Sequence, residues 1–181
     1  MMSKYSYKKV LIVIKLGNLV EETGDAIVCP ANSFNHMRGG VAGVIRQAGG
    51  EIIEQEAMAK SPVTVGNAVI TGAGKLKVKH VIHAPTMKLP VQHSNTDNVR
   101  RAVRAAMRCA DQNSLHSISF PGMGTGTGWV PYEDAAESMI GEIKRYLDEE
   151  ECALKTVSIV AYSEVFCNIV IDEAEKAFET L

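Results

Sequence analysis

The chain is expected to fold as an α/β protein with a central, largely parallel sheet covered by helices on both faces. Three observations carry that expectation. Apolar runs of strand length alternate with amphipathic segments of helical period from end to end. The runs are apolar at successive positions, as in Val10 to Ile14, which is the pattern of strands buried on both sides. Glycine-rich stretches fall where strands hand over to helices. The length of 181 residues suits one domain over residues 1–181, with no internal repeat or long linker.

Taken in order, Lys9–Lys15 reads as a strand and Asp25–Cys29 as a short buried one. From Gly40 to about Lys60 the apolar positions Val41, Val44, Ile45, Ala48, Ile52 and Ile53 have helical spacing. Asn67–Thr71 and His80–Ala84 read as strands, separated by Gly72-Ala73-Gly74. A helix capped by Thr96 or Asp97 carries the stripe Val99, Ala102, Val103, Ala106, Met107 and Ala110. Strand Ser117–Phe120 leads into a glycine loop, and a third helix starts at Pro131, a favoured first helical position. Thr156–Ala161 is a further buried strand, and Glu164–Leu181 a last helix.

The formal net charge of −2 argues against a surface built to grip a long polyanion, and leaves room for a small anionic ligand at a local site. No run is long enough to span a membrane, and MMSKYSYKKV is followed by no apolar signal region. The four cysteines, Cys29, Cys109, Cys152 and Cys167, form no CxxC pair, which fits reduced thiols in the cytoplasm. No metal or organic cofactor is called for.

Two loops stand out: CPANSFNHMRGGVAG at 29–43 and PGMGTGTGW at 121–129. In a parallel sheet such strand-to-helix loops lie at the carboxyl ends of strands, where ligands bind. Each also runs into a helix N-terminus with free N–H groups and partial positive charge. Two on one edge can hold a diphosphate from both sides, with the amides of Gly124 to Gly128 curling around it. The spacing matches neither GxGxxG nor GxxxxGK[ST].

These residues resemble the macro domain, the ADP-ribose-binding module. The likeness covers nearly the whole chain and rests on DAIVCPANS followed by GGVAGVIRQAGG, on VGNAVITGAGKLKVKHVIHAP, and on SISFPGMGTGTGWVPYEDAA. It implies a three-layer α/β/α sandwich around a mixed sheet, and it implies roles. Ala31 and Asn32 sit in the motif that meets the distal ribose, where Asn32 would hydrogen-bond. Gly39, Gly40 and Val41 would approach ribose and diphosphate through backbone groups. Gly124, Thr125, Gly126, Thr127 and Gly128 would wrap the diphosphate from the other side. Asn18 and Leu19 occupy the place of the Asp-Ile that recognises the adenine amine, and Tyr162 would lie against the base. The chain departs from the pattern at Asn18, Cys29, Met37-Arg38, Ala42, Arg46 and Gly128. Positions 42 and 46 lack the Asp and His of many hydrolases of the family, and Trp129 is the aromatic residue nearest to the one missing at Gly128.

The resemblance implies binding of ADP-ribose or a derivative. It leaves open hydrolysis of a distal-ribose substituent, as in ADP-ribose 1″-phosphate, O-acetyl-ADP-ribose or an ADP-ribosylated protein. His36 is the candidate general base in the first loop, beside Asn32. The alternative is a non-catalytic module for ADP-ribose, poly(ADP-ribose) or RNA. Arg100, Arg101, Arg104 and Arg108 form a basic helix side, read as a solvated face because no aromatic set is interleaved with it. His80 and His83 point to opposite faces of a strand, and Glu54 and Glu56 do not share a helix face, so neither pair forms a site. Cys29 is read as a small buried residue and not a nucleophile.

Overall fold

The computed structural model describes residues 1–181. In chain order its strands are β1 (Met2–Tyr7), β2 (Val10–Leu16), β3 (Gly24–Asn32), β4 (Val69–Gly72), β5 (Val78–Met87), β6 (Ser117–Phe120), β7 (Thr156–Ala161) and β8 (Glu179–Thr180). The helices are α1 (Gly40–Gly49), α2 (Glu51–Ala59), α3 (Thr96–Gln112), α4 (Tyr132–Glu149) and α5 (Glu164–Ala177). One sheet holds all strands in the order β4-β5-β3-β6-β7-β2-β1-β8. The five central strands, β5, β3, β6, β7 and β2, are parallel. The edges, β4 on one side and β1 with β8 on the other, are antiparallel. The sheet is therefore mixed and largely parallel, with helices on both faces. No helix is long and apolar enough to cross a membrane.

Strand β3 shows how the layers are built. Its side chains alternate between faces with period two. Ile27, Cys29 and Ala31 join Ala42 and Ile45 of α1 and Ile53 of α2 in one buried cluster. Ala26 and Val28 join the larger cluster on the other face, with Val99 and Ala102 of α3, Met139 and Ile143 of α4, and Phe166 and Val170 of α5. Both faces are apolar, so only a covered, central position in a sheet satisfies the strand.

The structure corrects the sequence reading in several places. The helix expected from Gly40 to about Lys60 is two helices, broken at Gly50, where φ is 104°. Strand β1 lies within MMSKYSYK, a segment for which no strand is expected from the sequence. It is an outer strand on which Tyr5 alone is buried, so it carries no apolar alternation. Its turn into β2 places Lys8 and Lys9 at φ 46° and 68°, a conformation that sequences usually announce with Asn or Gly. The cap of α3 is Asn95, whose Oδ1 accepts from the Asn98 N–H at 2.8 Å, and not Thr96 or Asp97. Pro131 is the residue before α4, and α5 stops at Ala177 so that Glu179 and Thr180 can pair with β1.

Asp25 ties the sheet together at the amino end of β3. Its carboxylate accepts from Lys79 Nζ at 2.8 Å and from the backbone N–H groups of His116 and Ser117 at 2.7 and 3.1 Å. The Lys79 hydrogen bond, helped by the two amides and opposed by burial, holds its carboxyl below the ordinary value.

Two stability predictions result. At Gly74, φ is +55° and a Cβ would fall 2.0 Å from the Gly49 carbonyl oxygen, whereas at Gly141 in α4 a Cβ meets open space. Gly74→Ala is expected to lose about 1–3 kcal/mol, and Gly141→Ala to gain about 0.5–1 kcal/mol, in urea unfolding. Equal effects would contradict the backbone geometry. For Asp25 the folded-state carboxyl titrates below its unfolded value, so its stabilisation is full above about pH 4 and fades as pH falls through the depressed folded value. Wild type should therefore exceed Asp25→Asn in stability at pH 7, with the gap closing in more acidic buffer. A gap that stays constant with pH would show that the carboxylate's charge contributes nothing.

Candidate functional site

All five parallel strands end on one edge of the sheet, and a cleft of about 630 Å³ opens there. That size lies within the range of small-molecule sites, roughly 300–1,000 Å³. Gly17 and Asn18 follow β2, Gly39 ends the loop after β3 and Gly40 and Val41 begin α1, and Thr86 and Met87 end β5. Pro121 to Gly128 follow β6, and Tyr162 and Ser163 follow β7. β3 and β6 are neighbours in the sheet, but the chain leaves β3 for the face of α1 and α2, and leaves β6 for the face of α4. The two glycine loops therefore part to opposite faces and flank one crevice, as expected at a topological switch point. No Asp, Glu, Lys, Arg or His lines the cleft.

The lining brings together Asn18, Leu19, Gly39, Gly40, Val41, Gly124, Thr125, Gly126, Thr127, Gly128 and Tyr162. Ala31, Asn32 and His36 are not on it. Asn32 uses its side chain on its own loop. Its Nδ2 donates to the His36 carbonyl at 3.0 Å, and its Oδ1 accepts from the N–H groups of Phe34 at 3.1 Å and His36 at 3.4 Å. The next part of that loop is held by Glu54. The Glu54 carboxylate, largely buried, accepts from the Met37 N–H at 2.6 Å and from Arg46 Nε at 3.1 Å. The sequence reading set Glu54 aside; only the fold brings α2 back under the loop. Helix α1 then begins at Gly40, with no side chain capping it and nothing within 4 Å of where a Cβ of Gly39 or Gly40 would stand. Its first N–H groups remain available to a ligand.

The second loop braces itself. Gly124, at φ +78°, accepts from the Val130 N–H at 2.9 Å, and a Cβ there would come within 2.8 Å of Val99. Gly128 accepts from the Ser94 N–H at 2.8 Å. Thr125 Oγ1 donates to the Gly122 carbonyl at 3.1 Å. Gly126, by contrast, has open space where a Cβ would be. The loop is thus tight at its base and bare at its tip. Trp129 does not stand in for an aromatic residue at Gly128. It is 72% exposed, leans on His93 at 5.9 Å and is not on the lining. The aromatic ring that joins Tyr162 on the lining from this side is Tyr132, packed on Phe166 at 5.1 Å.

Thr86 also lines the cleft, unforeseen from the sequence. It is fully buried, and its Oγ1 has no partner within the chain. Its place at the carboxyl end of a parallel strand was the available signal. Other candidates are inert. Burial pushes the Cys29 thiol up to about 12, so it stays protonated. Burial likewise pulls the His83 imidazole down to about 3, and the neutral ring meets Thr71 Oγ1 at 2.9 Å. The arginine side of α3 is tied down in part, while Arg100 and Arg108 stay exposed. Arg104 reaches Glu142 at 2.9 Å and also pairs with Glu149, while Arg101 donates to the Val65 carbonyl at 2.7 Å.

Comparison with known proteins agrees with this architecture. The family model described as Macro domain matches residues 28–139. An uncharacterized protein of Aquifex aeolicus (strain VF5) is 49% identical over 148 residues, covering 82% of this chain and 88% of its own length. The Trypanosoma brucei macrodomain in complex with ADP-ribose is similar in structure with a TM-score of 0.80 at 26% identity, over 89% of this chain and 68% of that one. A mutant Oceanobacillus iheyensis macrodomain with ADPR has a TM-score of 0.86 at 24% identity, over 97% and 98% of the two chains, a likeness of fold. The segment matched by the family model runs from β3 into α4 and contains both loops that flank the cleft: the chain belongs to the macro domain family.

Proposed function

We propose that the chain, acting as one macro-type domain, binds ADP-ribose or a close derivative in the cleft at the strand ends. The observation that carries this reading is the convergence of two glycine loops, from opposite faces of the sheet, on one crevice that no charged side chain lines. An anion there is held by backbone N–H groups and by the uncapped start of α1, which are fixed and cost no reorganisation when it arrives. The diphosphate lies between Gly39–Val41 and Gly124–Gly128. Adenine lies at the end formed by Asn18, Leu19 and Tyr162, a ring 91% exposed and free to stack for about 1–3 kcal/mol. The distal ribose lies toward Thr86 and Met87, with Asn32 setting the turn beside it. The ADP-ribose complex of the Trypanosoma brucei macrodomain supports the choice of ligand. Four unpaired cysteines support action in a reducing compartment, the cytoplasm.

Hydrolysis of a distal-ribose substituent would then run by assistance from the ligand's own diphosphate, since the lining holds no carboxylate, imidazole or amine to act as a base. The second loop would serve as the phosphate-binding loop and stabilise developing charge.

Calorimetry tests the binding. ADP-ribose should bind in the micromolar range or tighter, AMP and ribose 5-phosphate much more weakly, and the affinity should change less than about twofold between pH 6 and 8 because no histidine lines the cleft. No heat with ADP-ribose would remove the reading, and a steep pH dependence would bring His36 back into the site. Activity is tested with ADP-ribose 1″-phosphate. Phosphate release that survives His36→Ala and is lost in Asn32→Ala, with ADP-ribose affinity reduced only severalfold, is the expected result for the diphosphate-assisted route. Absence of release from wild type would leave a binding module.

A further inference from the structure

The base end of the cleft offers hydrogen-bond donors and no carboxylate. Gly17 donates its N–H to the Ala161 carbonyl at 2.9 Å, which sets Asn18 beside Tyr162 at the ends of the neighbouring strands β2 and β7. Asn18 caps the short helical turn Leu19–Glu21, and its Oδ1 accepts from the Val20 N–H at 3.3 Å. Only the oxygen of an amide can accept from an N–H, so the orientation of the side chain follows from that bond. The Nδ2 branch has no partner in the chain, and Asn18 lines the cleft. Ser163, the other polar side chain at this end, accepts from the Phe166 N–H at 3.2 Å to cap α5, which leaves its hydroxyl proton to donate. Glu164, next to Ser163, is exposed and not on the lining, and the carboxylates nearest Asn18 in sequence are occupied elsewhere. Glu21 pairs with Lys77 at 2.7 Å and Glu22 with Lys15 at 2.6 Å, and neither lines the cleft.

We infer that Asn18 suits the base end of the cleft to a 6-oxopurine at least as well as to adenine, so that the ligand class includes inosine diphosphate ribose and its relatives. The inference rests on the reading of the cleft as a nucleoside diphosphate-ribose site. A 6-oxopurine presents a carbonyl oxygen where adenine presents an amine. The amide protons of Asn18 Nδ2 match the oxygen, whereas they face the amine as donor against donor and leave adenine only its ring nitrogen to pair with. A carboxylate at the same place would do the reverse, accepting from the amine and repelling the carbonyl.

The test is calorimetric titration of wild type and Asn18→Asp with ADP-ribose and with inosine diphosphate ribose. Aspartate caps a helical turn as well as asparagine does, so Val20 keeps its partner while the second carboxylate oxygen turns to the base. Wild type should bind the inosine form as tightly as the adenosine form or up to tenfold more tightly. Asn18→Asp should move that ratio at least tenfold toward adenosine. A wild-type preference for adenosine of tenfold or more would overturn the inference without need of the variant, and so would a ratio that the variant leaves unchanged. If neither ligand binds wild type, the reading of the cleft fails and the inference fails with it. That result is distinct from the failure of base recognition alone, in which both ligands bind and adenosine is favoured.

Discussion

Parallel strands cannot be joined by tight turns, because each must be re-entered from the same end. Every connection among β2, β3, β5, β6 and β7 has to cross the length of the sheet, and all of their carboxyl ends fall on one edge. The cleft is a consequence of this. It forms where the crossover after β3 goes to one face and the crossover after β6 to the other, while the two strands stay paired. The double burial of strands such as β3 enforces the parallel arrangement, and the arrangement in turn places five loops around one crevice.

Within that crevice the two main loops are held differently. The second is braced by its own backbone and by Ser94 and Val99, with Gly124 and Gly128 packed where a Cβ would collide. The first depends on an element remote from it in the layer: Glu54 of α2 holds the Met37 N–H and is itself held by Arg46 of α1. A charge-assisted bond at a largely buried site is stronger than a neutral one, and it fixes where α1 begins. Arg46 therefore has a structural task here. The cleft presents backbone dipoles to a ligand, and its charged side chains are spent on supporting the loops behind it.

This division has chemical consequences. Fixed N–H dipoles bind an anion without titrating in the physiological range, and they contribute little to the long-range attraction that salt screens. The groups that could have supplied reactivity are removed by burial. Cys29 and His83 lie on adjacent strands and are register partners, yet each is held in its neutral form by its surroundings. The polar side chains left on the lining are few: Asn18, Thr86, Thr125, Thr127 and Ser163, with the phenols of Tyr132 and Tyr162.

The alternation of apolar runs and amphipathic segments determined the layers, and the two glycine-rich stretches marked the loops of the site, because burial on both faces and freedom from a Cβ are written in residue type. The helix break at Gly50 and the strand β1 were less legible. The first needed the φ of one glycine among many, and the second is an outer strand that the chain leaves through two lysines in a conformation lysine seldom adopts. The positions of Asn32, Glu54, Thr86 and Trp129 relative to the cleft were decided only in the folded chain. Whether a side chain faces a ligand, braces a loop or leans on a neighbour depends on which distant groups reach it. Hydrogen bonds such as Met37 to Glu54 are made between residues whose proximity no local pattern encodes.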